Sequence, residues 1–416
     1  MNNGIERFKL SSIDRAIQLD LTAEVHGVSS AEDYFVRIPD TMKDNRLYES
    51  LLNAYARAKE RDMAESLMDQ MRNKGYDNGP FPFNVMMTLY MKLDEFDKID
   101  QLISEMKQKN VRLDIYSYNI WLSAHGSKGS AEGMEHVLEQ IKLDSTLIPK
   151  WTTFGTMASF YVKLGQIEKA EDCLINLEAR ITVQDNMAYR YLMTLYATLG
   201  KKEEVYRVWS LYKSKLPRVP NWGYHTVISA LLSLGDIEEA EKIYREWLQG
   251  KSDYDPRVGN LLMGWYAREE HFEKAKRFFE EMIEAGGRPN SGSWGIIGEA
   301  HTKAGRISDT LSCLREAFSL NKGNNNTWKP KASHVSAFLN LCEKEGDTGS
   351  KDEFVWLLRE LGCFQDRTYK SILAGHIGIE VGDHDDYVMF SSNTDADDET
   401  EETESEESEM LMSVME

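Results

Sequence analysis

The stretch KLGQIEKAEDCL, Lys163–Leu174, returns 70 residues later as SLGDIEEAEKIY, Ser233–Tyr244. Glycines at 165, 200 and 235 divide that distance into two equal steps, so the chain repeats itself every 35 residues. Self-similarity at a fixed period of this size is typical of proteins that stack one supersecondary unit on the next.

The repeats are numbered here so that the glycine of the "LG" pair takes position 15. Nine repeats result, with the bounds 45–79, 80–114, 115–150, 151–185, 186–220, 221–255, 256–290, 291–331 and 332–365. We predict four segments in the chain. They are an N-terminal helical cap with a degenerate repeat over 1–44, the repeat array over 45–365, a C-terminal capping helix over 366–382 and an acidic disordered tail over 383–416.

Each repeat contains two stripes of apolar residues at helical spacing. In repeat 4 the first stripe includes Phe154, Met157 and Tyr161, and the second includes Ala170 and Leu174. This pattern predicts a helix A, a turn at position 15 and a helix B. Glycine suits that turn because a helix often ends in a left-handed conformation.

One such hairpin cannot bury its apolar face alone, so the repeats are expected to stack. The predicted fold is all-α, a right-handed α-solenoid superhelix with a continuous core. Small residues at position 20 would let the two helices approach closely, and the large residues at position 27 are expected to pack in the core. Position 20 holds Ala64, Ala170, Ala240 and Ala275, and position 27 holds Met71, Met106, Tyr212, Trp247 and Met282.

The formal net charge of −20 is concentrated at one end of the chain. Residues 371–416 hold 15 Asp or Glu and no Lys or Arg, so residues 1–370 carry 49 basic against 54 acidic side chains. The acidic end has the composition of a disordered segment. It would either keep the protein soluble or compete electrostatically with a ligand for the basic side chains of the same chain.

Other sequence signals exclude several classes of protein. No apolar run is long enough for a transmembrane helix, and no secretory or transit peptide is visible in the first 20 residues. Cys173, Cys313, Cys342 and Cys363 lack zinc-ligand spacing, so we expect buried thiols. No catalytic constellation, phosphate loop or metal cluster is apparent, so we expect no enzyme, cofactor, metal site or membrane partner.

The 35-residue period resembles that of the pentatricopeptide repeat family, in particular its plain P class of plant organelles. The resemblance is carried by SYNIWLSAHGSKG (Ser117–Gly129), SLGDIEEAEKIYREWL (Ser233–Leu248) and HFEKAKRFFEEMIEAGGRPN (His271–Asn290). Position 8 holds apolar residues such as Leu52 and Met87, whereas the related tetratricopeptide repeats carry glycine there. The protein-binding relative is therefore disfavoured.

The resemblance implies that single-stranded RNA is bound at about one nucleotide per repeat, read by position 5 and the last residue of each repeat. Asn84 with Asp114 in repeat 2 is a combination that the family uses for uracil. Asn260 with Asn290 in repeat 7 looks like a pyrimidine reader. The other seven pairs depart from the family pattern, which leaves open a looser grip on RNA, or binding to structured RNA or a ribonucleoprotein. These pairs are Glu49 with Gly79, Asn119 with Lys150, Gly155 with Asp185, Arg190 with Pro220, His225 with Asp255, Gly295 with Lys331 and Ser336 with Gln365.

Two further positions favour RNA. Position 2 is aromatic in Phe81, Tyr116 and Trp222, which would either stack on bases or pack between helices. Position 13 is basic in six repeats, where the side chains would either form a ladder of phosphate contacts or cap the C-terminus of helix A. These six are Arg57, Lys92, Lys163, Arg268, Lys303 and Lys344.

The sequence therefore predicts a monomeric, non-catalytic RNA-binding protein of RNA processing, stability or translation. By family resemblance it would act in mitochondria or chloroplasts, with ribosomal or other RNA-processing proteins as further partners. The alternative is a protein-binding or ribosome-associated scaffold, since a helical repeat surface suits either ligand.

Overall fold

The computed structural model of the chain describes residues 11–182, 185–251, 253–321 and 328–377. All the regular secondary structure in these residues is helical, which confirms the predicted all-α fold class. The predicted acidic tail, 383–416, lies outside the described residues. Within the described part of the chain, no helix is both long and apolar enough to cross a membrane.

The described residues divide into two compact bodies, which are treated separately below. The first body ends at Thr182 and the second starts, among the described residues, at Asp185. The first body contains α1 (Ser12–His26), α2 (Val28–Arg37), α3 (Asn45–Arg57), α4 (Arg61–Lys74), α5 (Pro80–Lys92), α6 (Phe96–Gln108), α7 (Ile115–Ser127), α8 (Ala131–Leu143), α9 (Trp151–Lys163) and α10 (Ile167–Glu178).

The second body continues the same alternation of helices A and B. It contains α11 (Asn186–Thr198), α12 (Lys202–Lys215), α13 (Asn221–Ser233), α14 (Ile237–Gly250), α15 (Pro256–Arg268), α16 (Phe272–Glu284), α17 (Ser291–Lys303), α18 (Ile307–Asn321), α19 (Ala332–Glu345), α20 (Thr348–Glu360) and α21 (Arg367–Ile377). Each helix A, α3 to α19 by odd numbers, begins at the first residue of its 35-residue repeat. In both bodies helix A packs against helix B of its own repeat and against helix A of the next repeat in that body.

The core of each body is formed by the positions that the repeat pattern singles out. The four position-20 alanines are fully buried, and so are Met71, Met106, Tyr212, Trp247 and Met282 at position 27. These residues therefore pack in the core, as predicted. The four cysteines are also buried with free thiols, and burial raises the pKa of each of them, to about 12 for Cys173.

Position 15 has a left-handed backbone in every repeat. Gly165, Gly200 and Gly235 have φ of 68, 70 and 73°. Three repeats place another residue at this position with almost the same geometry, at φ of 59° for Lys59, 57° for Asp94 and 58° for Glu270. A side chain costs roughly 1–2 kcal/mol in this conformation, so these three turns are strained.

We expect glycine at these three positions to stabilise the protein. Each of Lys59→Gly, Asp94→Gly and Glu270→Gly should raise the free energy of unfolding by about 0.5–1 kcal/mol, because part of the relief is offset by the greater freedom of glycine in the unfolded chain. The matched control is Gly200→Ala, whose added Cβ would meet nothing within 4 Å and which should therefore lose stability through its backbone alone. Thermal unfolding followed by circular dichroism tests both signs; a lower melting temperature for the glycine variants would contradict the expectation.

Candidate nucleic-acid interface

The predicted base-contacting positions lie near the N-terminal end of helix A. Positions 2 and 5 fall in its first two turns, and the last residue of each repeat is the N-cap of helix A in the following repeat, as Asp114 is for α7 and Asn290 for α17. An N-cap side chain accepts a hydrogen bond from the helix backbone. The predicted reading residue therefore also begins the next helix.

In repeat 2 the predicted pair is held in a hydrogen-bonded network. Asn84 Nδ2 donates to Asp114 Oδ1 at 3.3 Å and to Oδ2 at 3.4 Å. Asp114 Oδ1 also accepts the backbone N–H of Ser117 at 2.7 Å, and the Ser117 hydroxyl lies 2.7 Å from Asn84 Oδ1. Asn84 is 4% exposed, so its amide is fixed in place.

Repeat 7 has the same network in the second body. Asn260 Nδ2 donates to Asn290 Oδ1 at 3.2 Å, and Asn290 Oδ1 accepts the backbone N–H of Ser293 at 2.8 Å. The Ser293 hydroxyl donates to Asn260 Oδ1 at 2.8 Å. The two pairs whose combination matches the family pattern thus have one geometry.

The two networks leave different atoms for a ligand. At Asp114, most of the protein's hydrogen bonds converge on Oδ1, and Oδ2 keeps lone pairs for a further donor. At Asn290 the hydrogen bonds also converge on Oδ1, and the amide nitrogen carries two N–H groups that none of these bonds uses. Repeat 2 therefore offers an acceptor, while repeat 7 offers a donor.

Repeat 3 keeps the asparagine but replaces the last residue. Asn119 Oδ1 accepts the Thr153 hydroxyl at 2.9 Å, and Asn119 Nδ2 donates to the Thr152 hydroxyl at 3.3 Å. Lys150 begins α9 without a side-chain cap. Asn119 is oriented like Asn84, but the carboxylate or amide partner is missing.

The pairs of repeats 1, 4, 8 and 9 have no comparable network. Burial raises the pKa of Glu49, and its partner Gly79 has no side chain. Gly155 is buried in α9, and at Gly295 an added Cβ would lie 2.8 Å from the Trp328 ring. Ser336 Oγ accepts from Asn340 Nδ2 at 3.4 Å on its own helix. Asp185 begins α11, Lys331 begins α19 and Gln365 ends a short 3-10 helix.

Arginines of repeats 5 and 7 instead lie around one tryptophan of repeat 6. The guanidinium carbons of Arg190 and Arg257 lie 5.2 Å and 4.2 Å from the centre of the Trp222 ring, which is 39% exposed. Arg257 also makes a bidentate ion pair with Asp255, in which Nε donates to Oδ1 at 3.0 Å and Nη2 donates to Oδ2 at 2.8 Å. A base that stacks on Trp222 would have to share the ring with these cations.

His225, at position 5 of repeat 6, lies edge-on to Trp222 with ring centres 5.5 Å apart. Burial, and then the positive charges of Arg190 and Arg257, lower its pKa to about 4. His225 is therefore neutral at pH 7. Pro220, the last residue of repeat 5, is the N-cap of α13 and contributes no polar side-chain atom.

The other position-2 aromatics lie beside the repeat 2 network. Phe81 is 49% exposed at the start of α5. The Tyr116 hydroxyl is 3.4 Å from Thr88 Oγ1, and Thr88 Oγ1 donates to the backbone carbonyl of Asn84 at 2.8 Å. The Tyr116 hydroxyl is thus linked to Asn84 through Thr88, and Phe81 lies three residues before Asn84 on the same helix, one turn away.

All six position-13 cations lie in the last turn of helix A, three in each body. They are Arg57, Lys92, Lys163, Arg268, Lys303 and Lys344. Some also meet carboxylates: Arg57 is 3.6 Å from Asp20, and Lys303 is 3.6 Å from Glu299. Their position fits both the phosphate and the helix-capping interpretations.

A contact between neighbouring repeats escaped the sequence reasoning. Glu65 at position 21 of repeat 1 accepts the Tyr90 hydroxyl at 3.0 Å and Lys98 Nζ at 2.6 Å, both from repeat 2. Lys98 also lies 4.9 Å from the centre of the Tyr90 ring. Burial acts to raise the pKa of Glu65, but the hydrogen bonds from Lys98 and Tyr90 outweigh it and lower the pKa.

The same clamp joins repeats 3 and 4, and in part repeats 6 and 7. Its members are Glu135, Tyr161 and Lys169 in the first body, and Glu241, Tyr266 and Lys274 in the second. The recurrence of Glu at 21 with Tyr at 11 and Lys at 19 of the next repeat was visible in the sequence once the repeats were aligned. Each complete clamp joins helix B of one repeat to helices A and B of the next.

Among the residues that the structure describes, no group of three or more His, Cys, Asp or Glu is placed to hold a metal ion. The polar side chains that the structure describes near the helix A N-termini include amides, hydroxyls, guanidiniums, single carboxylates, the ammonium groups of Lys150 and Lys331 and the imidazole of His225. Such a set makes hydrogen bonds to a polar ligand.

Comparisons with known proteins point in one direction. A family model described as PPR repeat matches residues 46–76, 116–145, 152–180, 223–250 and 260–287, and one described as PPR repeat family matches 81–126. A pentatricopeptide repeat-containing protein of Arabidopsis thaliana is 52% identical over 373 residues, which cover 90% of this chain and 71% of the relative. A mitochondrial pentatricopeptide repeat-containing protein of the same plant is 34% identical over 355 residues, covering 85% and 72%.

Two further matches are informative. The large ribosomal subunit protein mL101 of Arabidopsis thaliana is 36% identical over 346 residues, covering 83% of this chain and 70% of that protein. The crystal structure of the pentatricopeptide repeat protein PPR10 from maize superposes with a TM-score of 0.50 at 19% identity, over 88% of this chain and 57% of that chain. At that identity the structural likeness concerns the fold alone.

Proposed function

The chain belongs to the pentatricopeptide repeat family, and from this premise we propose that it binds single-stranded RNA without catalysing a reaction on it. The observation that carries the proposal is the network shared by Asn84 with Asp114 and Asn260 with Asn290. In each pair a polar atom at the start of a helix A is held rigidly and keeps hydrogen-bonding capacity for a ligand. Binding costs less entropy when the reading atoms are already fixed.

The side-chain atoms that keep hydrogen-bonding capacity in the two pairs match the polar groups on the edge of a pyrimidine. A carboxylate oxygen such as Asp114 Oδ2 accepts the N–H that uracil presents on its Watson–Crick edge, and we assign stacking on the same base to Phe81 and Tyr116, the position-2 aromatics of repeats 2 and 3. The Asn290 amide donates to the acceptors of a pyrimidine edge. We therefore assign uracil to repeat 2 and a pyrimidine to repeat 7.

The position-13 cations supply phosphate contacts in this proposal. They lie in the last turn of helix A, while the reading atoms lie near its first turn. Position 13 lies eight residues after position 5, about 12 Å along helix A, so a long cationic side chain there is placed to reach the phosphates of a nucleotide whose base lies near the N-terminal end of the helix.

The proposed place of action is a plant organelle, most directly the mitochondrion. This rests on a relative that is itself described as mitochondrial and is 34% identical to this chain. There the protein would affect the processing, stability or translation of an RNA.

A ribosome-associated role is the second candidate, because one relative, 36% identical, is a protein of the large ribosomal subunit. Seven of the nine reading pairs depart from the family pattern, which also fits a protein that holds RNA without reading each base. In that role the helical surface would bind structured RNA or ribosomal proteins.

Crosslinking in plant cells, followed by immunoprecipitation of the tagged protein and sequencing of the bound RNA, separates the two candidates. The first predicts one or a few transcripts, with crosslinks in unpaired, pyrimidine-containing segments that weaken in an Asn84→Ala, Asn260→Ala variant. The second predicts ribosomal RNA together with many ribosomal proteins, and sedimentation with the large subunit. No RNA above the background of an untagged control would overturn both.

A further inference from the structure

We propose that Ser117, Thr153 and Ser293 are positioning residues that orient the base-reading asparagine of the preceding repeat. This inference rests on the proposed function and deepens it. The three side chains are fully buried, so they act through the asparagines and do not touch RNA themselves. Each occupies position 3 of its repeat, the third residue of helix A.

The contact is the same at all three places. The hydroxyl oxygen lies 2.7 Å from Asn84 Oδ1 at Ser117, 2.9 Å from Asn119 Oδ1 at Thr153 and 2.8 Å from Asn260 Oδ1 at Ser293. The hydroxyl can donate to the amide oxygen at all three places, but at Ser117 and Ser293 it also lies 2.9 and 3.0 Å from Oδ1 of Asp114 and Asn290, so its one proton is shared between two acceptors there. The amide nitrogen is thereby turned the other way, towards Asp114, Thr152 and Asn290 respectively.

This orientation has only one stable choice in repeat 2. If the Asn84 amide were rotated by half a turn, its oxygen would face the Asp114 carboxylate and two acceptors would meet. In the observed orientation the amide nitrogen donates to the carboxylate and the amide oxygen can accept from the Ser117 hydroxyl. The carboxylate therefore selects the orientation of the amide, the Ser117 hydroxyl holds it there, and Asp114 Oδ2 is left at a defined place for the base.

The hydroxyl follows the asparagine throughout the array. Asparagine stands at position 5 in repeats 2, 3 and 7, and these are the repeats followed by Ser or Thr at position 3. The position-3 residues that follow repeats 1 to 8 are Pro82, Ser117, Thr153, Ala188, Gly223, Val258, Ser293 and His334.

Helix capping alone does not explain this distribution. A capping box pairs an N-cap Asp or Asn with a polar residue three positions later. Asp185 and Asp255 begin helices whose third residues are Ala188 and Val258, so an acidic N-cap does not bring the hydroxyl with it. Thr153 keeps the hydroxyl although its helix begins at Lys150. The hydroxyl is therefore associated with the amide to be oriented.

The test is a selection from a pool of random-sequence, single-stranded RNA by the purified full chain, with sequencing of the bound fraction. We expect Ser117→Ala to reduce the base preference at the nucleotide that Asn84→Ala also affects, by about three- to tenfold, the worth of one hydrogen bond. Ser117→Thr should retain the preference, because Thr153 makes the same contact. Ser293→Ala should reduce a different preference and leave the first unchanged.

The matched control is Ser130→Ala. Ser130 caps α8 by accepting the backbone N–H of Gly133 at 3.1 Å, so its loss weakens a helix start without touching a reading asparagine. Both base preferences should survive in this variant. Should Ser117→Ala lower the helical content, Ser117→Cys keeps the size of the side chain and removes the strong donor.

The outcomes separate the two levels of the proposal. Suppose that the wild-type chain selects a sequence, that Asn84→Ala loses the base preference and that Ser117→Ala keeps it. This result would overturn the positioning role and leave RNA binding intact. No selection by the wild-type chain would overturn the proposed function, and the positioning role with it. If Ser130→Ala also removes both base preferences, the effect of Ser117→Ala is explained by helix stability, and the positioning role is overturned.

Discussion

Trp247→Ala is expected to lower the free energy of unfolding of the second body by about 3–5 kcal/mol. The side chain is 2% exposed at position 27 of repeat 6 and meets Tyr254 edge-on, with ring centres 5.0 Å apart. Alanine would leave a cavity the size of an indole in a row of core residues that joins helix A to helix B. Few other single changes in this chain remove as much buried surface.

The loss would also reach the candidate interface. The indole Nε1 donates to Asn221 Oδ1 at 3.0 Å, and Asn221 Nδ2 donates to Asp255 Oδ2 at 3.3 Å. Without the indole, a part-buried acceptor at the start of α13 loses its partner, which adds to the cost of the cavity. The Asp255 side chain, the last residue of repeat 6, would lose part of its support.

Urea unfolding followed by circular dichroism measures this effect. Trp356→Ala is the matched control, because Trp356 is 49% exposed and its truncation should cost less than about 1 kcal/mol. Trp247→Phe should fall between the two, since it keeps a ring but loses the N–H donor. A midpoint for Trp247→Ala no lower than that of Trp356→Ala would contradict this account of the core.

The affinity for single-stranded RNA is expected to fall by roughly 300-fold between 50 and 200 mM salt. Six position-13 cations that each neutralise one phosphate give a slope of about −4 in a plot of log affinity against log salt, at ~0.7 per phosphate. To bind phosphates, Arg57 and Lys303 must first break their ion pairs with Asp20 and Glu299. We therefore expect a slope somewhat shallower than this value.

The variants that test this expectation replace the position-13 cations by glutamine. With all three in one body replaced, the slope should become shallower by about 2. The matched control replaces Lys98, Lys169 and Lys274, the position-19 lysines of the inter-repeat clamps, and should leave the slope unchanged. If the position-13 variants lose only stability, at about 0.3–1 kcal/mol each, and keep the wild-type slope, these cations cap helices and do not hold RNA.

Much of the fold follows from aligning the repeats. A glycine step of 35 residues predicted where each helix A begins, and the left-handed turn at position 15 holds even where Lys59, Asp94 or Glu270 replaces glycine. The alignment predicts these features because the turn and the core positions recur at the same places in every repeat. The position-27 side chain is buried in every repeat.

The details of the candidate site depend on contacts between repeats, which the period alone does not describe. The sequence singled out Asn84 and Asp114, but the bond from Ser117, 33 residues after Asn84, becomes evident only when two hairpins are stacked. The same holds for Arg190 and Arg257 around Trp222, where position 2 alone left open whether the ring stacks on a base or packs between helices. The division into two bodies at Thr182 has no counterpart in the repeat pattern.

The central claim is that the helix A N-termini read pyrimidines in single-stranded RNA. The most direct measurement compares the affinity of the full chain for a 20-nucleotide uracil tract, a matched adenine tract and a duplex of the same length, at one salt concentration. The account predicts that the uracil tract binds at least about tenfold more tightly than either competitor, a difference of about 1.4 kcal/mol, and that Asn84→Ala with Asn260→Ala removes the advantage over adenine. Equal affinity for all three RNAs, unchanged in that variant, would contradict it.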